Sequence, residues 1–232
     1  MIDYSGWRHA FKLDPDKPID DDALEAVCES GTDAILVGGT LGVTYENTLD
    51  LMARIRRYAV PAVLELSNLQ SVVPGFDAYF VPLVLNAGDS DWLFAPHVEG
   101  LKEYGAYIHW ESIYSEGYLI FNEDSSVAQV TKARPILTGE EAKAYAQVAS
   151  KICRLPIVYL EYSGTYGDVE MVRAAKSVLE ETHVFYGGGI RTVEQAQAMA
   201  EIADTVVVGN AIYDNLEQAL ETVQAVKNVC RK

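Results

Sequence analysis

Along the chain, short apolar runs alternate with stretches whose apolar residues recur every three or four positions. This is the rhythm of strands buried on both faces, separated by amphipathic helices. Residues 9–15 (HAFKLDP) read as a first strand that Pro15 stops. Residues 21–30 follow with Leu24, Val27 and Cys28 on one helical face, an acidic first turn and Gly31 as terminator. The run DAILVGGT at 33–40 is the second strand, and a helix through Leu49, Met52 and Ala53 reaches Tyr58. PAVLEL at 61–66 and FDAYFVPL at 76–83 supply strands three and four. A helix over 92–104 and a fifth strand over 116–121 come next. Thr138 and Glu141 then form a capping box, the sixth strand covers 155–164, and Asp168 opens another helix. The seventh strand, 183–186, runs into three glycines; Thr192 and Gln195 make a second capping box; the eighth strand is 205–208 and a last helix spans 216–226.

Eight strands with helical crossovers, and no repeat, linker or low-complexity segment, predict a modified (β/α)8 TIM barrel occupying residues 1–232 as a single domain. One crossover departs from the rule. Residues 67–75, with Pro74-Gly75 among them, are too few for a parallel connection, which takes about a dozen residues or more. The third helix is therefore expected to be reduced to a loop or turn, leaving part of one barrel wall uncovered.

Charge narrows the partners. With 18 basic against 34 acidic side chains, a net charge of -16 and no basic run, neither nucleic acid nor an anionic lipid surface is the expected main partner. Cys28, Cys153 and Cys230 show no CxxC spacing, which suits reduced cysteines of a cytoplasmic protein. The start has no apolar signal region, and no run of about 18 apolar residues predicts a transmembrane segment. The four histidines lack metal-ligand spacing. Residues 79–121 hold ten of the 23 aromatics, a concentration with two readings: core plus oligomer interface, or an aromatic-lined groove beside the uncovered wall.

Gly187-Gly188-Gly189 after strand seven, and Gly209-Asn210 after strand eight, sit where barrels of this type bind phosphate. The ends of strands one, two and six add Lys12, Asp14, Thr40, Glu161, Tyr162, Ser163 and Gly164 to the same rim. Asp14 and Thr40 offer hard oxygen ligands of the kind Mg²⁺ takes when phosphates complete its shell. Plainer roles stand beside these: Lys12 as a solvated lysine, Glu161 as an anchor for its own loop through backbone N–H groups, Tyr162 and Tyr186 as core aromatics.

Five motifs together, FKLDP at 11–15, GGT at 38–40, YLEYSG at 159–164, YGGGI at 186–190 and VGNA at 208–211, resemble the geranylgeranylglyceryl/heptaprenylglyceryl phosphate synthase family in its bacterial PcrB-type branch. The resemblance covers essentially the whole chain. It implies a Mg²⁺-dependent prenyltransferase that joins a polyprenyl diphosphate, heptaprenyl in this branch, to the 3-hydroxyl of sn-glycerol 1-phosphate, forming an ether and releasing diphosphate. It also implies a barrel without a regular third helix, and it raises the expectation of a homodimer. By position, Tyr159, Leu160, Glu161, Tyr162, Ser163, Gly164, Gly189, Gly209 and Asn210 would hold glycerol phosphate with Lys12 beside it. Asp14 and Thr40 match the family's Mg²⁺ positions; the second is often serine, and threonine keeps the oxygen. Glu161 would orient or deprotonate the acceptor hydroxyl, and the prenyl tail would lie along 79–121, with Gly100 leaving it room. Two other readings compete. A phosphosugar isomerase or lyase could pair Asp14 with Asp124, although strands six and seven carry no Schiff-base lysine. A non-catalytic phosphate-ligand-binding protein is the other.

Overall fold

Eight parallel strands close on themselves in chain order in the computed structural model, which describes residues 2–89 and 92–230. They are β1 (His9–Leu13), β2 (Ala34–Val37), β3 (Ala62–Glu65), β4 (Ala78–Val84), β5 (Ile113–Ile120), β6 (Ile157–Glu161), β7 (His183–Gly187) and β8 (Thr205–Val208), and β8 pairs with β1 through Ala10 and Val207. Around them lie α1 (Asp21–Glu29), α2 (Tyr45–Ile55), α3 (Ala95–Tyr104), α4 (Ser126–Thr131), α5 (Gly139–Gln147), α6 (Val169–Lys176), α7 (Val193–Ala200), α8 (Ala211–Asp214) and α9 (Leu216–Lys227).

Local chemistry sets the helix starts. Asp20 and Asp168 accept N–H groups of the first turns of α1 and α6. The two expected capping boxes form at Thr138–Glu141 and Thr192–Gln195, and a third, Thr44–Asn47, opens α2. Between β3 and β4 the only helical feature is one 3-10 turn, Leu69–Ser71, capped by Asn68, so the wall there is open as the short crossover implies.

Several boundaries differ from the sequence reading, among them the sixth strand, which is Ile157–Glu161 and not 155–164. The fifth strand begins at Ile113 because Ile113, Tyr114 and Ser115 pair in register with Tyr79, Phe80 and Val81. The helix expected from residue 92 starts at Ala95, with Pro96 in its first turn; residues 90 and 91 lie outside the described residues. The small helix α4 has no periodic signal long enough to announce it, whereas the π turn Val148–Ile152 continues the helix that the spacing of Ala142, Tyr145, Ala146, Ala149 and Ile152 predicts.

Strand alternation divides the core in two. Phe11, Ile35, Leu64, Val158, Leu160, Val184 and Val206 point outward and pack with α1, α5, α6, α7 and α9. Ala10, Leu36, Val63, Phe80, Tyr159, Phe185 and Val207 fill the barrel. At the barrel's N-terminal end Tyr4, Trp7, Phe80, Tyr114 and Phe185 meet mostly edge to face, with Tyr4 and Tyr114 centroids 5.2 Å apart. That plug leaves the opposite mouth as the open end.

Candidate active site

Toward that mouth the inward positions become polar: Lys12 on β1, Glu65 on β3, Glu116 on β5 and Glu161 on β6. Lys12 Nζ donates to both oxygens of Glu65, at 2.7 Å to Oε2. Burial works against the Lys12 ammonium, but the Glu65 and Glu161 carboxylates outweigh it and hold its pKa above the usual lysine value. Glu116 is fully buried, and neither carboxyl oxygen has a hydrogen-bond partner among the described residues. Burial, first, and the Glu65 charge push its pKa well above the usual glutamate value.

Glu161 is 2% exposed at the end of β6. Its Oε1 accepts the Ser163 N–H and its Oε2 accepts the Tyr118 hydroxyl at 2.6 Å. Burial and the Glu161 charge keep Tyr118 protonated and therefore a donor. Tyr118 stacks on Tyr159, centroids 4.8 Å apart, and Lys12 Nζ lies 5.3 Å from the Tyr159 ring centroid. The carboxylate is thus held in one orientation at the barrel mouth, with lone pairs left for a ligand.

The triple glycine is shaped from below. Tyr186 OH accepts the Gly167 N–H at 2.7 Å and donates to the Gly188 carbonyl at 2.8 Å, tying the β6 and β7 loops together. A Cβ at Gly187 would collide with the Tyr159 hydroxyl, one at Gly188 with the Tyr162 backbone, and one at Gly189, whose φ is +55°, with the Thr165–Tyr166 peptide. The glycines are required because two backbones lie flush here, and the result is a concave wall of main chain. Gly209 completes it beside the Lys12 main chain.

Asp14 and Thr40, on the loops after β1 and β2, line the same cavity. Asp14 is half-buried, its backbone N–H reaches Tyr213 OH at 3.2 Å, and its Oδ1 accepts the Asp16 N–H at 3.0 Å. Burial raises its pKa above the usual aspartate value. Gly39 gives the carboxylate its space, since a Cβ there would fall 2.9 Å from Oδ2. Among the described residues no three His, Cys, Asp or Glu side chains converge as a preformed cage. One carboxylate, one hydroxyl and open space suit a hard cation that keeps waters and takes its remaining oxygens from a diphosphate.

Lys12, Glu65, Tyr118, Tyr159, the three glycines, Gly209, Asp14 and Thr40 border one cavity of about 2020 Å³, which Glu161 meets through Tyr118. It continues from the glycine wall over the face where the β3–β4 crossover lacks a helix, past Leu69, Phe76, Gly100, Tyr104 and Trp110. The aromatic concentration therefore splits. Phe80 and Tyr114 belong to the plug, whereas Tyr104, Tyr107 and Trp110 line the cavity, with Tyr107 80% and Trp110 61% exposed.

Of the residues named from the sequence, Lys12, Asp14, Thr40, Tyr159, Ser163, Gly164, Gly189, Gly209 and Asn210 border the cavity, and Glu161 lies directly beneath it against Tyr118. Leu160 and Tyr162 do not line it. The Leu160 side chain packs outward, so only its main chain faces the mouth. The Tyr162 ring stacks on Phe121, centroids 4.7 Å apart, and props the glycine loop. Sequence reasoning missed Glu65, Glu116, Tyr118 and Lys17. A single charged residue inside an apolar strand, as in PAVLEL, was the available signal for Glu65, because an isolated acid there has to face a partner or a ligand.

Comparison with known proteins matches the PcrB family over residues 2–227. The heptaprenylglyceryl phosphate synthase of Brevibacillus brevis (strain 47) is 72% identical over 227 residues, spanning 98% of this chain and 98% of its own length. That of Bacillus cereus (strain B4264) is 53% identical, spanning 98% and 99%. Among solved structures, the (S)-3-O-geranylgeranylglyceryl phosphate synthase of Thermoplasma acidophilum, in complex with its substrate sn-glycerol-1-phosphate, is similar at a TM-score of 0.86 and 26% identity, over 97% of this chain and 96% of that one. Full-length agreement in sequence and in fold leads to one conclusion: the chain belongs to the PcrB family.

Proposed function

We propose that this protein transfers a long prenyl group, heptaprenyl as in its named relatives, from a prenyl diphosphate to the 3-hydroxyl of sn-glycerol 1-phosphate, forming an ether and releasing diphosphate. The observation that carries the reading is one cavity that joins a main-chain glycine wall to a long apolar extension over the barrel face lacking a third helix, with the fixed Glu161 carboxylate held against its Tyr118 lining. A phosphosugar enzyme would have no use for the extension.

In this scheme Gly189, Gly209 and Asn210 bind the acceptor phosphate, with Ser163, Gly164 and Tyr159 around the glycerol. Glu161 accepts the proton of the attacking hydroxyl at its carboxylate, while the Tyr118 hydroxyl and the Ser163 N–H keep that carboxylate aimed. The allylic C–O bond to diphosphate breaks as positive charge develops on the prenyl carbon, and the faces of Tyr159 and Tyr118 stabilise it. Lys12, paired with Glu65, contributes position more than net charge. Asp14 and Thr40 would hold Mg²⁺, which supplies neutralisation of the leaving diphosphate. The tail lies past Gly100 and Tyr104, away from water.

We further read the protein as a homodimer working in the cytoplasm. The exposed Leu137 and Ile152, each 76% accessible, support a covered face, and three free cysteines suit a reducing compartment. Among the described residues no helix is long and apolar enough to cross a membrane.

Calorimetry separates the parts of this scheme. sn-Glycerol 1-phosphate should bind without metal, whereas prenyl diphosphate should need Mg²⁺ and lose binding on chelation or in Asp14→Asn. Donor binding indifferent to both would remove the metal from the scheme.

A further inference from the structure

Lys12, Lys17 and Arg191 are the lysines and arginines that line the cavity among the described residues. Two are engaged by carboxylates: Lys12 by Glu65, and Arg191 by Asp214 at 3.7 Å. Lys17 is different. Its Nζ donates to the neutral Asn210 Oδ1 at 2.8 Å and stands 5.2 Å from the Tyr213 ring centroid, with no carboxylate within 4.0 Å among the described residues. In a chain of net charge -16, a rim lysine held by an amide oxygen and an aromatic face keeps its positive charge available to a ligand.

Its position says which ligand. Tyr213, under Lys17, also receives the Asp14 backbone N–H, so Lys17 and Asp14 share one support on the β1 side of the mouth. Asn210 spends its carbonyl oxygen on Lys17, which leaves its amide N–H groups for another acceptor in the cavity that the glycine wall also lines. Lys17 and the glycine wall thus offer donors to two anions in one cavity. The acceptor phosphate has main-chain donors; beyond the metal that Asp14 and Thr40 would hold, the diphosphate, with about three negative charges, meets only Lys12 and Arg191, both engaged by carboxylates, unless Lys17 serves it.

We propose that Lys17 receives the diphosphate of the prenyl donor and retains it as the leaving group, acting as a binding cation next to Asp14. This rests on the prenyl-transfer reading. Lys17 exchanges no proton and forms no bond: the electron pair of the breaking allylic C–O bond goes to the diphosphate, the hydroxyl proton goes to Glu161, and the ammonium stays charged throughout.

Inorganic pyrophosphate with Mg²⁺ is the probe, as a competitive inhibitor of prenyl transfer and as a calorimetric ligand; sn-glycerol 1-phosphate is titrated in parallel. Loss of one charge-assisted contact should raise the pyrophosphate Ki about tenfold or more in Lys17→Met, while Lys17→Arg stays within about threefold of wild type. Glycerol phosphate Kd should move less than about threefold in both variants, which also reports that they are folded. An unchanged pyrophosphate Ki in Lys17→Met overturns the assignment. So does a glycerol phosphate loss as large as the pyrophosphate loss, because Lys17 would then belong to the acceptor. Wild-type protein that makes no prenyl ether overturns the underlying reading instead, so the two failures are distinguishable.

Discussion

Lys12 and Glu65 face each other inside the barrel mouth from β1 and β3, and the lysine donates to both carboxylate oxygens, so the pair enters the active site already neutralised. The lysine side chain is 20% exposed and the glutamate 7%. Removing one partner strands the other. Glu65→Ala should cost about 3 kcal/mol of unfolding free energy, and the double variant Lys12→Met/Glu65→Met should recover most of it. Urea titrations of the single and double variants measure this; equal losses in both would mean that the ion pair itself is the stabilising element.

Glu161→Gln keeps the shape and the oxygen that accepts the Ser163 N–H, turns the Tyr118 hydroxyl from donor to acceptor, and removes the proposed base. kcat should fall by about 10² to 10⁴, with the calorimetric Kd for sn-glycerol 1-phosphate within about threefold of wild type. Equal kcat in variant and wild type would demote Glu161 to a loop anchor, the role its bond from the Ser163 N–H also permits.

Gly189→Ala places a Cβ against the Thr165–Tyr166 peptide at a φ of +55°. Main chain cannot swing aside as a side chain tip can, so the wall must distort. Binding of sn-glycerol 1-phosphate should weaken at least about tenfold, with an accompanying stability loss of about 1–3 kcal/mol. Ala at Gly6, where nothing lies within 4 Å, is the neutral control.

Gly100 borders the apolar extension across from the 3-10 turn, where a Cβ would sit 2.9 Å from Leu69 Cδ2. Gly100→Trp should close the far end of the channel and shift the donor preference to shorter prenyl chains. The readout is relative kcat/KM across a donor series. An unchanged profile would place the tail elsewhere.

His9 is wholly buried between Thr32 and Thr222, at 2.9 and 3.0 Å, and burial lowers its pKa to about 3. The unfolded histidine takes up a proton near pH 6.5, whereas the folded one refuses it. Its contribution to stability is therefore complete above pH 6.5 and erodes as pH falls toward 3, by about 1.4 kcal/mol per unit. His9→Gln should show a shallower loss of stability between those pH values. Parallel curves for the two proteins would assign the acid sensitivity to carboxylates alone.

Much of the architecture can be read before any coordinates because strand and helix periods differ and because residues 67–75 are too few for a helix. The glycine wall can be read because side chains absent at three consecutive positions imply close backbone approach. The inner carboxylates are harder. Whether Glu65, Glu116 and Glu161 converge depends on which face of each strand turns inward, and closure of the barrel sets that register. Lys17 looks like any loop lysine until Asn210, 193 positions away, is brought to it. The boundary of β5 shows the same limit: its first residues are strand because β4 is there to pair with them.

The most direct test of the central claim is transfer of labelled sn-glycerol 1-phosphate into an organic-extractable product with Mg²⁺ and heptaprenyl diphosphate, followed by alkaline treatment of the extract. An alkali-stable lipid whose mass equals the heptaprenyl ether of glycerol phosphate is predicted, made by wild type and nearly abolished in Glu161→Gln. No extractable label with prenyl donors of any length, or a lipid released by alkali, would contradict it.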